Sequence, residues 1–562
     1  MDKARLGKAT RGQFLTLLDA ATMKNARADC PAIIYLETGK EPITITQADF
    51  QQSVWQATHF LQQQGLRPRD TIIIAYEQSL TGIFLFWGAL QMGAIPSMMP
   101  PLTEKLDHDI YSQQMQTLAA HNDAKLIFTT PQFAPTLSDW VKCPVFGDVE
   151  LRNMPDTPPN LQPAEAEEIA FLQHSSGTTG LQKGVALSHQ AVLNQLASYS
   201  DALELTNKDV IVSWLPLYHD MGLIAGFLLP LIQGIPLVLM SPFDWVKHPA
   251  MLLRAIHDYK GTLCWLPNFA YNHCARRIRQ RDIEGVSLHS MRAFINCSEP
   301  VYHSSHQLFL DRFKQCGITP EQLGVSYAMA ENTFAVTQTP IGQYPRLDIV
   351  DRAALEGQRL AEPCDADLPT AQINVSCGPP IADTTVMVLD DNGHPLPERH
   401  IGELAVQSTY MLTEYYKRPD LNAHLWHNGC YRTGDMGYIA DGEVFVVGRR
   451  KDLIINAGKN VYPQDLEAIA NTVEGVHPGR VVAFGVYDER EGTELIGIVA
   501  ESDTSDPDER HRIGQQIRQK IAQQTTVTAT YVQIVDREWL IKTSSGKIAR
   551  AANRTKWQQH FR

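Results

Sequence analysis

Up to Tyr327, short apolar runs alternate with stretches of helical spacing. Residues 32–45 read as a hairpin: Ala-Ile-Ile-Tyr-Leu, a turn through Gly39 and Pro42, then Ile-Thr-Ile. Thr46 and Asp49 have the spacing of a capping box. The helix they predict puts Phe50, Val54, Ala57 and Leu61 on one face and stops at Gly65. Residues 71–75 read as a buried strand, a helix through Phe84, Trp87 and Leu90 ends at Gly93, and 95–99 and 126–128 read as further strands. The pattern continues with strands at 210–214, 262–266, 291–296 and 324–327. Each of these four leads into a polar cluster, and open α/β sheets bind their ligands at strand ends. From Val386 the texture changes to short strands joined by turns, Asp390 to Gly393 and Ala440 to Glu443. Beyond Arg450 a separate strand and helix pattern begins, with strands at 485–487 and 494–500 and a polar amphipathic helix over 507–524.

The expected fold is therefore α/β. A large N-terminal domain, 1–450, holds two α/β sheet subdomains and a β-rich subdomain, and a small α+β C-terminal domain covers 451–562. The most hydrophobic segment, from Met221 to Met240, is interrupted by Gly222, Gly226, Pro230, Gln233, Gly234 and Pro236. It reads as a buried helix, a turn and a strand, not as a membrane span.

Composition narrows the picture. The 562 residues leave room for about three or four domain-sized units. A net charge of −13 makes a nucleic-acid surface an unlikely default. The nine cysteines are scattered and form no Cys-x-x-Cys pair, which points to reduced thiols and a cytoplasmic home.

The candidate chemistry centres on one loop. After the strand end at 169–172 come Ser175, Ser176, Gly177, Thr178, Thr179 and Gly180, then Lys183 and Gly184. Small residues let backbone N–H groups turn toward a polyphosphate, hydroxyls add donors and the lysine adds charge. It is not a Walker loop, because it leads into a second strand, 185–187, and not into a helix. Ser188 then caps a helix carrying Val192, Leu193 and Leu196. A lone glycine-rich loop is usually a surface turn, but the density of hydroxyls and the lysine here favour nucleotide binding.

Four further stretches follow in order: 325–331 with Tyr327 and Glu331, 431–437 with Asp435, 448–463 at the domain boundary, and 542–550 with Lys547. Taken singly, Lys547 is a solvated lysine, His219 a structural histidine, Asp435 a turn cap and Glu331 a surface carboxylate. Taken with the loop, the five stretches resemble the adenylate-forming superfamily of acyl-CoA synthetases, adenylation domains and luciferases over nearly the whole chain.

That resemblance implies a set of roles. ATP is held through Ser175, Ser176, Gly177, Thr178, Thr179, Gly180 and Lys183 at its β- and γ-phosphates. Tyr327 stacks on adenine, Ser298, Glu299 and Pro300 line the base pocket, and Asp435 and Arg449 take the ribose. Glu331, with Thr178 nearby, binds Mg²⁺. His219 stands where the acyl tunnel meets the nucleotide, and Lys547 bridges carboxylate and α-phosphate. Lys451 is the hinge about which a mobile C-terminal domain turns.

Within the superfamily, the wording around 215–223, 375–378 and 456–467 resembles the fatty acyl-AMP ligases, as does extra length at about 340–374. In that subfamily the insertion is thought to restrict domain movement and disfavour CoA. The implied reaction is activation of a fatty acid to an acyl-adenylate, then transfer to the phosphopantetheine thiol of a separate acyl carrier protein. An acyl-CoA synthetase, an amino-acid-activating enzyme using Asp220 and a non-catalytic scaffold remain alternatives. An ordinary surface loop remains an alternative for the insertion. Three departures from the family wording, Gln182, Ala328 and Ile541, remove no reacting group.

Overall fold

The computed structural model describes residues 12–24, 28–102, 108–174, 183–543 and 546–561. Its N-terminal part is built on two seven-stranded sheets. In the first, the strands Leu323–Ser326, Ala293–Cys297, Leu263–Leu266, Ile211–Ser213, Leu237–Met240 and Pro31–Leu36 are parallel neighbours in that order. The hairpin partner Ile43–Thr46 closes the edge. The expected capping box forms at the next helix, Gln47–Gln63. The Asp49 N–H donates to Thr46 Oγ1 at 3.1 Å, and the Thr46 N–H donates to the Asp49 carboxylate at 3.1 Å.

The second sheet runs Glu414–Tyr415, Gly184–Ser188, Ile169–His174, Ile95–Met98, Thr71–Ala75, Ala124–Thr129 and Val145–Phe146. Ile169–His174 and Gly184–Ser188 are antiparallel and flank the glycine-rich loop, whose residues 175–182 lie outside the described set. One buried core fills the space between the sheets and their helices, with Trp87, Trp245, Trp265, Phe86 and Phe227 among its largest members.

The apolar segment after Asp220 is a buried π-helix, Met221–Leu228, continued by the α-helix Leu229–Gln233. Gly234 takes a left-handed conformation and ends it before the strand Leu237–Met240. This is the helix, turn and strand that the breakers predict. No helix among the described residues is long and apolar enough to cross a membrane.

The β-rich part is one sheet of Thr384–Leu389, Gly402–Ser408, Cys430–Ala440, Trp426–His427 and Glu443–Arg449. Cys430–Ala440 and Glu443–Arg449 form a hairpin that sets Asp435 directly opposite Arg449. The segment at 340–374 is a small unit: Leu347–Asp351 pairs antiparallel with Ala371–Val375, and the helix Arg352–Gln358 lies between them. Buried Asp348 fixes the unit to the sheet. It pairs with Arg399 at 3.1 Å and accepts from the Tyr438 hydroxyl at 2.7 Å.

The last part has its own three-stranded sheet, Val476–Asp488, Thr493–Ser502 and Ala529–Val535, with helices Pro463–Ala470, Pro507–Gln524 and Arg550–Phe561. Its principal core draws its buried side chains from Ile454 to Ile534. Arg450 bonds backwards, to Glu403 at 2.9 Å and Asp391 at 3.1 Å. Asp452 bonds forwards, to Arg550 at 2.7 Å. The C-terminal part also meets the small unit: Asn460 Nδ2 donates to the Glu356 carbonyl at 3.2 Å, and the Thr526 hydroxyl donates to the Glu356 carboxylate.

Candidate active site

Two strand ends of the first sheet break into irregular backbone. After Ala293–Cys297, Ser298 adopts φ +72°. After Leu323–Ser326 come Tyr327 and a short 3₁₀ turn, Ala330–Asn332, and then Thr333 at φ +61°. Non-glycine residues in the left-handed region are disfavoured and cluster at functional sites.

Tyr327 is buried, and its hydroxyl donates to Asp435 Oδ2 at 2.6 Å. Arg449 Nε meets the other oxygen, Oδ1, at 3.2 Å. Burial, and then the charge on Asp435, push the Tyr327 phenol far above its usual pKa, so it stays a donor. The Asp435 carboxylate in turn holds Arg449 above its ordinary range. Lys451 follows two residues on. Partial desolvation and then Arg449 lower its pKa.

Glu331 accepts from the Tyr415 hydroxyl at 2.7 Å, and that hydroxyl also lies 2.8 Å from the Tyr431 hydroxyl. Lys183 Nζ sits 4.7 Å from the centre of the Tyr415 ring, within cation–π range. The lysine of the glycine-rich loop and the carboxylate thus share one tyrosine. Among the described residues no group of three or more His, Cys, Asp or Glu side chains could cage a metal. One carboxylate suits a hard cation that keeps water and takes its other oxygens from a polyphosphate. Thr178, the other expected oxygen donor, lies outside the described residues together with Ser175, Ser176, Gly177, Thr179 and Gly180.

His219 Nδ1 lies 2.6 Å from Asp220 Oδ1, and both side chains are largely buried. Burial opposes the charge on Asp220, but His219, Lys547 and the Met221 N–H outweigh it and hold its pKa below the usual carboxylate range. The same lysine charge acts on the Cys297 thiol, which burial and then Asp220 push up to about 12. Lys547, more than three hundred residues from Asp220 in sequence, thus lies near enough for its charge to act on Asp220 and Cys297. The chain folds back on itself to present it: the Thr543 N–H donates to the Lys547 carbonyl at 2.8 Å, and the Lys547 N–H donates to Thr543 Oγ1 at 3.2 Å.

Not every expected residue faces the cluster in the expected manner. The Glu299 carboxylate accepts from the Phe269 N–H at 2.9 Å, which ties it to the start of the helix Asn268–Arg277. Pro300 is exposed. Tyr415, which donates to Glu331, and Tyr431, which meets the Tyr415 hydroxyl, are not among the residues that the sequence motifs single out. A mainly apolar cleft is lined in part by Ile74, Met98, Met99, Leu217, Tyr218 and Phe243, and Tyr218 precedes His219 in the chain.

The combination is a part-buried carboxylate set opposite an arginine, a second carboxylate that shares a tyrosine with Lys183, a His–Asp pair and an apolar cleft. A family model described as AMP-binding enzyme matches residues 20–416, well over half of the chain. The chain belongs to the AMP-binding enzyme family. A Caulobacter vibrioides relative, provisionally named as an acyl-CoA synthetase, is 30% identical over 87% of this chain and 86% of its own. The Moorena producens protein JamA, a medium-chain-fatty-acid–[acyl-carrier-protein] ligase, is 33% identical over 70% of this chain and 68% of its own. A structure from work on fatty acyl-adenylate ligases of E. coli and L. pneumophila superposes with a TM-score of 0.90 at 26% identity, covering 98% of this chain and 99% of that one. The AMP-binding fold and the enzyme class thus agree with the expectation raised by the five sequence stretches.

Proposed function

We propose that this AMP-binding enzyme joins a fatty acid to ATP, releases pyrophosphate and passes the acyl group to the phosphopantetheine thiol of a separate acyl carrier protein. The observation that supports it most is the geometry at the strand ends, with Asp435 held between Tyr327 and Arg449 and with Glu331 and Lys183 sharing Tyr415.

In the first step a carboxylate oxygen of the fatty acid attacks the α-phosphorus, and the bond to the pyrophosphate oxygen breaks. Both reactants are anions, so their approach requires positive charge placed in advance. Lys547 supplies it at the carboxylate and α-phosphate, and Lys183 at the outer phosphates. Asp435 accepts from the ribose hydroxyls, with Tyr327 and Arg449 fixing its orientation. Magnesium, when bound, offsets the polyphosphate charge, and Glu331 with Thr178 would hold it. The apolar cleft, lined by Leu217 and Tyr218 just before His219 in the chain, takes the acyl chain. In the second step the thiol attacks the acyl carbonyl and AMP leaves. The boundary at Arg450–Lys451 serves as the hinge between the steps: Arg450 bonds to the N-terminal part and Asp452 to the C-terminal part, so Lys451 lies between the two sets of contacts.

The deciding experiment incubates the protein with ATP, Mg²⁺ and a series of fatty acids, with CoA, with holo-acyl carrier protein or with neither, and identifies the products. Acyl-adenylate that accumulates in the presence of CoA and is consumed by the carrier protein is the expected result. Acyl-CoA as the main product overturns the proposed acceptor, and absence of pyrophosphate release with every acid overturns the reaction.

A further inference from the structure

Tyr415 stands between the exit strand of the glycine-rich loop and the turn that carries Glu331. Its short strand, Glu414–Tyr415, pairs with Gly184–Ser188, the strand that leaves the glycine-rich loop, with Tyr415 opposite Val185. The pairing is extended on both sides. The Tyr416 N–H donates to the Gly184 carbonyl at 2.8 Å, and the Thr413 N–H donates to the Ala186 carbonyl at 2.9 Å. One residue further back, the Leu412 N–H donates to the Glu331 carbonyl at 2.8 Å. The five residues Leu412 to Tyr416 therefore clamp the loop's exit strand to the turn that carries Glu331.

The side chain repeats this link. Its hydroxyl donates to Glu331 Oε1 and its ring lies under Lys183 Nζ. Asn422 brackets the same residue: its Oδ1 accepts from the Tyr415 N–H at 2.8 Å, and its Nδ2 donates to the Tyr415 carbonyl at 3.0 Å. A phenol has one proton. Given to Glu331, it leaves the oxygen free to accept from Tyr431, so the two tyrosines form a donor chain ending on the carboxylate. The Tyr415 ring is 3% exposed, and its place is fixed by packing.

We propose that Tyr415 is a positioning residue that sets the metal-binding carboxylate of Glu331 through its hydroxyl and the phosphate-binding ammonium of Lys183 through its ring, so that both address one polyphosphate. The inference rests on the adenylation reading above. Groups hydrogen-bonded behind a ligating carboxylate commonly change metal affinity by about 10–100-fold when removed. The ring face adds a smaller term for the lysine.

The test separates the two halves. Tyr415→Phe removes the hydroxyl and keeps the ring, whereas Tyr415→Leu removes both. Isothermal calorimetry gives ATP affinity in EDTA, and pyrophosphate release gives the half-saturating Mg²⁺ concentration. For Tyr415→Phe the half-saturating Mg²⁺ rises about tenfold while metal-free ATP affinity stays at the wild-type value. For Tyr415→Leu, metal-free ATP binding also weakens several-fold. A Tyr415→Phe protein that melts like wild type and keeps the wild-type Mg²⁺ dependence overturns the proposal. So does equal metal-free ATP affinity of the Phe and Leu variants. Failure of the wild type to release pyrophosphate strikes at the adenylation reading alone, because the metal-free affinities still test the contact of Lys183 with the ring.

Discussion

The Tyr327 hydroxyl donates to Asp435 Oδ2 at 2.6 Å across 108 residues of sequence, joining the strand end of the parallel sheet to the long hairpin of the β-rich part. The carboxylate is thereby held between a neutral donor and the Arg449 guanidinium. Tyr327→Phe keeps the ring and removes that donor. A hydrogen bond to a charged group contributes about 1.5–3 kcal/mol. We expect ATP affinity to fall by about tenfold or more, measured by calorimetry, with the fatty acid KM unchanged.

In the proposed reaction Lys547 acts on charge that develops only as the carboxylate meets the α-phosphate. Lys547→Ala should leave ATP binding measurable and lower adenylate formation by about 100-fold or more, in line with the removal of one preorganised electrostatic group. Pyrophosphate release in a single turnover is the readout. A wild-type rate in that variant would sink the assignment.

Asp465 lies at the contact between the C-terminal part and the small unit at 347–375. Burial raises its pKa to about 7, with Glu356 adding and Arg352 and Gln372 opposing. A carboxyl raised above its unfolded value binds its proton more tightly in the folded state, so its contribution is favourable at low pH and is lost as pH climbs from about 4 to about 7. Asp465→Asn should therefore raise the melting temperature by a few degrees at pH 8 and by clearly less at pH 5. Scanning calorimetry at the two pH values decides this.

Glu356 is the contact of the small unit with the C-terminal part, through Thr526 and Asn460. If that unit brakes the C-terminal domain, Glu356→Ala should raise CoA-dependent turnover several-fold without slowing adenylate formation. Deleting 340–374 tests the same idea less cleanly, because it also removes Asp348 from Arg399 and Tyr438. A CoA rate no higher than wild type in the folded point variant removes the brake.

Local signals in the sequence determined much of this protein. Capping chemistry at Thr46 and Asp49, breakers at Gly234 and Pro236, and turn residues around Asp441 act over a few positions, and the elements they predict are present. The helix His108–Asn122 was missed although Tyr111, Met115, Leu118 and Ala119 carry a helical spacing, because glutamines interleave and dilute it. The strand expected at 485–487 extends over Val476–Asp488, since its first residues are partly exposed and alternate poorly. The residues proposed for the reaction are legible as residue types in chain order: Lys183, His219, Tyr327, Glu331, Asp435 and Lys547. What they touch is not. That Glu299 ties down the Phe269 N–H, that Arg450 and not Lys451 carries the ion pairs at the boundary, and that Tyr415 joins Lys183 to Glu331 are consequences of sheet pairing between distant segments. A hydrogen bond is decided within about 3 Å, and only the packed sheets bring chain positions 84 or 108 residues apart to that distance.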